Sequence, residues 1–306
     1  MNFFIKKLYR VLAVFFFVTS LSIVSTGKVQ ADNVLSNNVA GVSKAQAAKF
    51  AAGSTRLTVA KVAKYGKAIR GEKKLICFDL DGTLTQHKTQ LTEANKETLD
   101  ALAKKYKIIM VGAGNALRIY KQMNEYPIDI VANYGMQESK MVNGKFTIIR
   151  DEKCKVDSAF FIKNCDNLRK KYGYTQYEGD PIEFQESGMV TFGLLGTKAA
   201  SADKLKFDPD KKKRRAMYPE MLRIFKDYSV YIGGTTSFDI AKKQYNKYSA
   251  VMRYAKEHGY SKNQVLFVGD DFGDGGGDSH IRLGGIDYIQ IYDFTKIPER
   301  LSFLYK

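Results

Sequence analysis

Tryptophan is absent from this chain of 306 residues, and cysteine, histidine and proline are scarce, at 3, 3 and 5. No Cys-x-x-Cys pair or Cys/His cluster occurs, which excludes the usual zinc-ligand spacings. Cys77 lies inside an apolar run and reads as a small buried hydrophobe. Cys154 and Cys165 are left for a pairing that sequence alone leaves open. Acidic residues are outnumbered, 32 against 49 basic ones, for a formal charge of +17. That excess favours anionic partners: phosphorylated substrates, nucleic acid or an anionic envelope surface. Plain solubility accounts for it better than nucleic-acid binding does. The basic run at residues 211–215 (KKKRR) leads into an expected helix, 216–226, and reads as a solvated first turn. Nor does any apolar run reach the roughly 20 residues that a membrane-spanning helix needs.

The run that comes nearest, residues 11–24, follows a positive stretch holding Lys6, Lys7 and Arg10, and it precedes Val29-Gln30-Ala31. This is the layout of a secretory signal peptide, so residues 1–31 are expected to leave by cleavage near Ala31 and the protein to be exported. No cysteine follows the apolar run, which argues against a lipid anchor. Loss of Lys6, Lys7, Arg10 and Lys28 lowers the charge from +17 to +13. Residues 32–72 then read as a basic, partly helical extension, with helical patches at 43–52 and 57–69 and no evident chemistry.

What is present is a pair of acidic residues closing an apolar run. In KKLICFDLDGTLT, residues 73–85, Leu75-Ile76-Cys77-Phe78 is short, ends near Gly82 and reads as a buried strand opening into a turn. Ligands gather at the carboxyl ends of strands in open α/β sheets. Asp79 and Asp81, two apart on an extended segment, face the same way and can address one centre. Close like charges are costly, which argues for a bound cation or a raised pKa.

Strand and helix then alternate. Residues 91–105 are expected helical, with Thr92 as N-cap. A second buried strand, 108–111, runs into Gly112-Ala113-Gly114-Asn115 and a helix, 116–123. The turn resembles a dinucleotide glycine motif only superficially, because Leu117 stands where the third glycine belongs. A phosphate-facing turn at a helix N-terminus fits better, with Gly114 and Asn115 as the phosphate-binding candidates. A third strand, 128–132, precedes a hairpin on Asn143-Gly144. Strand–helix repetition of this kind implies a parallel sheet with helices on both faces. The middle changes character: helix 156–171, strands 181–185 and 189–195, helix 217–225 and an extended stretch 229–232 form an α+β block. The α/β rhythm resumes with 237–241 extended, helix 247–258, and strands 265–268 and 288–291. Residues 265–268 end in GDDFGDGGGD, residues 269–278. Four aspartates in a glycine-rich loop after a buried strand suit a hard cation. An EF-hand is excluded by Phe272 at the loop's third position.

DxDGT, read with its flanks, resembles the first motif of the haloacid dehalogenase (HAD) superfamily of phosphoryl-transfer enzymes. Within it the chain looks most like the Cof/phosphomannomutase-like branch, which carries a IIB-type cap between the second and third motifs. The likeness runs from residue 73 to the C-terminus through VGAGN, IEFQESGMVTFGLLG, GGTTSFDI with Lys247, and GDDFGDGGGD. It implies an α/β fold: a Rossmann-like HAD core with a parallel sheet, residues 73–145 and 234–306, and an inserted α+β cap, residues 146–233. By that likeness Asp79 is the nucleophile, Asp81 the general acid/base, Lys247 the third-motif lysine that also binds the phosphoryl oxygens as a point charge, and Asp270 and Asp278 the fourth-motif acids. It further implies Mg²⁺ held by Asp79, the Asp81 carbonyl and Asp270, with Asp278 anchoring metal waters or the lysine.

Three departures bear on the activity. Gly114 replaces the Ser or Thr of the second motif. The cap arginines that grip a sugar phosphate in the mutases are replaced by Gln185 or Glu186 and by Thr197 or Lys198. An exported mutase would also lack the bisphosphorylated hexose that keeps it primed. The expectation is an exported Mg²⁺-dependent phosphatase that hydrolyses a small phosphorylated metabolite through an aspartyl-phosphate. A phosphohexomutase and a non-catalytic envelope or binding protein on the same scaffold are the alternatives.

Overall fold

Apolar runs bounded by turn residues become the strands of a central sheet, and the order in which they pair decides where the acidic residues meet. The structure, a computed structural model, describes residues 55–306, so the expected leader and residues 32–54 lie outside the described residues. Helix α1 (Val59–Glu72) leads into β1 (Leu75–Phe78), α2 (Glu93–Ala103), β2 (Lys107–Val111), α3 (Ala116–Gln122) and β3 (Asp129–Ala132). A hairpin of β4 (Gln137–Val142) and β5 (Lys145–Asp151) follows. Then come α4 (Ser158–Tyr172), β6 (Ile182–Phe184), β7 (Val190–Gly193), α5 (Ser201–Phe207), α6 (Lys212–Ile224), β8 (Tyr228–Gly233) and β9 (Ser237–Lys242). The chain ends with α7 (Lys247–Glu257), β10 (Val265–Gly269), α8 (Ser279–Leu283), β11 (Asp287–Gln290) and α9 (Ile297–Tyr305). Among the described residues no helix is long and apolar enough to cross a membrane.

The larger sheet has the order β11-β10-β1-β2-β3-β4-β5, parallel from β11 to β3 and antiparallel beyond. β1 is fully buried along its length, as a central parallel strand covered on both faces must be. Its side chains alternate: Ile76 and Phe78 pack with Leu99, Leu102 and Ile119, while Leu75 and Cys77 pack with Val251, Tyr254 and Phe267 on the other face. Thr92 caps α2 as its sequence suggests, its hydroxyl accepting the Asn95 N–H at 3.4 Å. Asn143 and Gly144 take φ of +50° and +75°, the left-handed pair that a tight hairpin demands. From the extension, Leu57 N–H donates to the Tyr288 carbonyl at 2.7 Å, and α1 lays Ile69 against Leu301 and Leu304 of α9.

The inserted unit is a four-stranded antiparallel sheet, β6-β7-β9-β8, backed by α4 and α6 around Phe161, Phe192, Met217, Phe225 and Phe238. Both expected boundaries move. β5 pairs with β4, so the core sheet runs to Asp151 and not to residue 145. β9 pairs with β7 and β8, so residues 237–242 belong to the cap and not to the resumed core. Phe238 and Ile240 explain this: both point into the apolar cluster of the cap. The basic run at 211–215 is also more than a solvated turn. Arg214 is buried, ion-paired with Asp208 at 2.8 Å, and donates to the Gly233, Gly234 and Ser237 carbonyls. Cys154 and Cys165 are free thiols, the latter buried in the cap core.

Candidate active site

Asp79 stands just past the carboxyl end of β1, its N–H donating to the Val268 carbonyl of β10 at 2.9 Å. The chain then doubles back, with Gly82 N–H donating to the Thr85 carbonyl at 2.8 Å. Gly82 has φ +87°, and a Cβ there would meet Asp270 Oδ2 at 2.7 Å. Glycine therefore serves twice, for the left-handed turn and for the approach of the acidic loop.

That loop folds around Asp278, which is wholly buried. Asp278 Oδ2 accepts the Asp270 and Asp271 N–H groups at 3.1 Å each, and Oδ1 accepts Lys247 Nζ at 2.7 Å. Lys247 opens α7, where Asn246 is the N-cap, and its Nζ also donates to Asp79 Oδ1 at 2.7 Å. Burial works to lower the Lys247 pKa, but the Asp278 and Asp79 carboxylates outweigh it and hold the ammonium protonated beyond the ordinary lysine range. Carboxylate oxygens of Asp79, Asp270 and Asp278 lie within 4.8 Å of one another. Three carboxylates share one ammonium, so negative charge is in excess. Burial first, then Asp79 and Asp278, push Asp270 well above the usual carboxylate range. An all-oxygen set with this charge deficit fits a hard divalent cation, with Asp79 and Asp270 as the carboxylates left to bind it. Asp278 has both oxygens committed to the lysine and the loop. Asp271 and Asp274 stay outside the cluster, paired with Lys211 at 2.5 Å and Arg282 at 2.7 Å.

Asp81 is held from the side of α3. It accepts the Lys88 N–H and Gln122 Nε2 at 2.7 Å each, with Arg118 Nη1 at 3.4 Å. Burial works to raise its pKa, but these donors and the Arg118 charge bring it below the ordinary value. His87 Nδ1 stands 3.9 Å from it, and burial lowers the pKa of that imidazole. Gly114 and Asn115 border the same cavity. The Gly114 carbonyl accepts Asn133 N–H at 3.0 Å, and Asn115 Oδ1 caps α3 by accepting Arg118 N–H at 2.8 Å.

A cavity of about 1100 Å³ separates these groups from the cap. Strand register places Glu183, Thr191, Asp239 and Tyr231 in one row across β6, β7, β9 and β8, and all four line the cavity. Such row neighbours stand about 5 Å apart at Cβ. Asp239 Oδ1 accepts Thr191 Oγ1 at 3.1 Å, and Thr191 in turn accepts Gln185 Nε2 at 3.1 Å. Burial raises the Asp239 carboxyl to about 6, against the Thr191 hydrogen bond. Arg118, Gln122, Thr191 and Asp239 do not stand out in the sequence. The first two are four apart on α3 and Asp239 lies inside the SFDI stretch, but nothing local marks any of the four as a site residue.

Comparison with known proteins agrees with this geometry. The family model of haloacid dehalogenase-like hydrolases matches residues 76–157 and 156–275. A phosphomannomutase of Encephalitozoon cuniculi is 27% identical over 223 residues, 69% of this chain and 85% of its own. Phosphomannomutase 2 of Dictyostelium discoideum is 27% identical over 229 residues, 68% and 87% of the two chains. Among solved structures, a C-terminally truncated IMP-nucleotidase of Plasmodium falciparum shares the fold with TM-score 0.59 at 15% identity, covering 80% of this chain and 74% of that one. The chain belongs to the haloacid dehalogenase-like hydrolase family.

Proposed function

We propose that this protein is a Mg²⁺-dependent phosphomonoesterase, acting outside the cytoplasm on a small phosphorylated metabolite through an aspartyl-phosphate on Asp79. The observation that carries hydrolysis over mutase chemistry is the cap row. A mutase must grip phosphate at either end of its sugar, which asks for cations on the cap. Here the row facing the nucleophile offers Glu183, Thr191 and Asp239. Two cap arginines, Arg169 and Arg214, are spent on backbone carbonyls within the cap, and the two cap lysines that line the cavity, Lys204 and Lys211, hold the Thr197 carbonyl at 2.8 Å and Asp271 at 2.5 Å. Carboxylates and a hydroxyl suit instead an alcohol portion rich in hydrogen-bond donors.

Asp79 attacks phosphorus and forms the acyl phosphate, which divides one difficult displacement into two. Asp81 protonates the departing alkoxide and then removes a proton from the water that hydrolyses the acyl phosphate. An arriving phosphate dianion favours the protonated form of Asp81 by like-charge repulsion and competes for Arg118. Lys247 fixes the Asp79 carboxylate, and Asp278 fixes Lys247. Mg²⁺ bound by Asp79 and Asp270 would neutralise charge on the transferring phosphoryl group.

The relatives named phosphomannomutase favour a second reading, a phosphohexomutase. Phosphate release from sugar phosphates, nucleotides and p-nitrophenyl phosphate decides, with Mg²⁺, with EDTA and in Asp79→Asn. Metal-dependent release lost in Asp79→Asn is the expected result. Isomerisation primed by a hexose bisphosphate, without net release, would overturn it.

A further inference from the structure

An acid that must protonate an alkoxide and later take a proton from water depends on which of its oxygens is free to do so. The two oxygens of Asp81 are held unequally. Oδ1 accepts the Lys88 N–H and Gln122 Nε2 at 2.7 Å each, and His87 Nδ1 stands 3.9 Å from it. Oδ2 has the long contact to Arg118 Nη1, at 3.4 Å. Gln122, the last residue of α3, is committed at both ends of its amide. Nε2 also donates to Thr85 Oγ1 at 3.0 Å, on the turn that carries Asp81, and Oε1 accepts Arg118 Nη1 at 2.8 Å. A flipped amide would set Oε1 against a carboxylate and Nε2 against a guanidinium, so this network permits one orientation. Arg118 is fixed from behind. A Cβ on Gly114 would lie 2.6 Å from Arg118 Cζ, so the guanidinium fills the room of the side chain that glycine lacks, and the backbone there closes its Nε/Nη2 edge. Nη1 is the nitrogen left to act, and Gln122 receives it. The main chain adds a tie, because Leu91 N–H donates to the Gln122 carbonyl at 3.1 Å.

We propose that Gln122 is the positioning residue of Asp81: by holding Oδ1 it reserves Oδ2 as the oxygen that gives and takes the catalytic proton. Arg118, seated on Gly114, keeps the amide aimed. This rests on the acid/base role given to Asp81 above. The charge-assisted bonds to Oδ1 hold negative charge there, so the proton settles on Oδ2. That proton passes to the ester oxygen as its bond to phosphorus breaks. Oδ2 then receives a proton from the water whose oxygen bonds to phosphorus as the acyl phosphate opens. Glycine at 114 is a requirement of this network.

The leaving group supplies the test, because a basic alkoxide needs the proton and a nitrophenolate does not. The ratio kcat/KM covers the steps up to departure of the alcohol and so leaves out hydrolysis of the acyl phosphate. It is measured with Mg²⁺ on p-nitrophenyl phosphate and on alkyl esters, glycerol phosphate and hexose phosphates, for full-length wild type, Gln122→Leu, Asp81→Asn and the double variant. Gln122→Leu is expected to lower kcat/KM on the alkyl esters by about tenfold to a hundredfold, a part of what general acid catalysis supplies. That loss should exceed the loss on p-nitrophenyl phosphate by about tenfold. In the Asp81→Asn background the same substitution should cost less than about twofold, as when one residue acts through another. Gly114→Ser, which displaces the guanidinium, should show the same selectivity. Equal losses on both substrate classes, or an undiminished loss in the Asp81→Asn background, overturn the positioning role. Should Gln122→Leu not fold, Gln122→Glu keeps the shape, removes the donor to Oδ1 and decides in its place. If alkyl esters are hydrolysed with Gln122→Leu unaffected, the phosphatase reading stands and the positioning role falls. If wild type releases no phosphate but isomerises a primed hexose phosphate, the phosphatase reading fails and the Asp81→Asn comparison, made on isomerisation rates, decides for Gln122. A wild type inactive in both assays overturns both.

Discussion

Tyr134 of the core stacks on Tyr231 of the cap, with ring centroids 4.2 Å apart and planes inclined by 8°. Both residues are buried, and Tyr231 shares a cross-strand row with Asp239. Tyr134 follows Asn133 in two consecutive left-handed positions, φ +53° after +48°. Their N–H groups donate to the Gly112 and Gly114 carbonyls at 3.2 and 3.0 Å. The strained turn thus ties the loop beside Asp79 to the sheet that faces it. Strain of this kind persists only where the surroundings hold it. Tyr134→Ala should lower unfolding free energy by about 3–5 kcal/mol in urea, as removal of a buried aromatic does, while Tyr134→Phe should stay within about 1 kcal/mol. KM should rise in the alanine variant because the cap row loses its seat. A cost below about 1 kcal/mol for Tyr134→Ala would show that the stack does not seat the cap.

Lys247 is the cation set among three carboxylates, so its removal has two separable effects. Lys247→Met leaves Asp79 and Asp278 unpaired and partly or wholly buried, which should cost about 3–5 kcal/mol of stability and abolish turnover. Adding Asp278→Asn relieves the stranded charge. The double variant should regain much of the stability but no activity, because Asp79 still lacks its positioning partner. Thermal melts alongside a phosphate-release assay check this. Recovered turnover in the double variant would contradict the role given to Lys247.

Much of this site is legible in the sequence. Four consecutive apolar residues ending in Asp79 announce a buried strand and a strand-end acid, because both signals are local. Thr92 and the Asn143-Gly144 turn are legible for the same reason. β9 is not, since an alternating strand looks the same whichever sheet receives it, and its partners β7 and β8 are chosen by Phe238 and Ile240 packing against distant helices. Arg214 misleads for a related reason. A charge run reads as solvated until Asp208 and the carbonyls of residues 233, 234 and 237 are known to converge on it. Arg118 is hidden because the absence of a hydroxyl at Gly114 gives no hint that a guanidinium fills the gap.

Divalent cation should stabilise this protein and displace protons as it binds. Burial and the Asp79 and Asp278 charges hold Asp270 above the usual carboxylate range, so metal must bind against that proton. Mg²⁺ at a hundred times its Kd should add about 2.7 kcal/mol to the unfolding free energy, and EDTA should remove that increment. Asp270→Asn should abolish most of it. Calorimetric titration in two buffers of different ionisation enthalpy reads the proton release, which should decline as pH rises past the Asp270 pKa. A melting temperature indifferent to Mg²⁺ and EDTA would sink the metal-site assignment.

Asp239 gives a pH dependence of opposite sign to that of an ion-paired carboxylate. Burial raises its pKa to about 6 from an ordinary 3.8, so between those values the native state binds a proton that the unfolded chain has released. Stability attributable to this group therefore falls as pH rises from about 4 to about 6, and above that the full penalty remains. The penalty, discounted for partial exposure, amounts to about 2 kcal/mol. Asp239→Asn should accordingly stabilise the protein by about that much at pH 8 and by almost nothing at pH 4, as measured by denaturant unfolding at both. Its effect on function should run the other way. If the carboxylate is retained at this cost because it accepts hydrogen bonds from the alcohol portion of the substrate, Asp239→Asn should raise KM for hydroxyl-rich phosphomonoesters. It should leave p-nitrophenyl phosphate, which offers no such donors, nearly unchanged. Equal losses on both substrates would instead place Asp239 in the architecture of the cap, not in substrate selection.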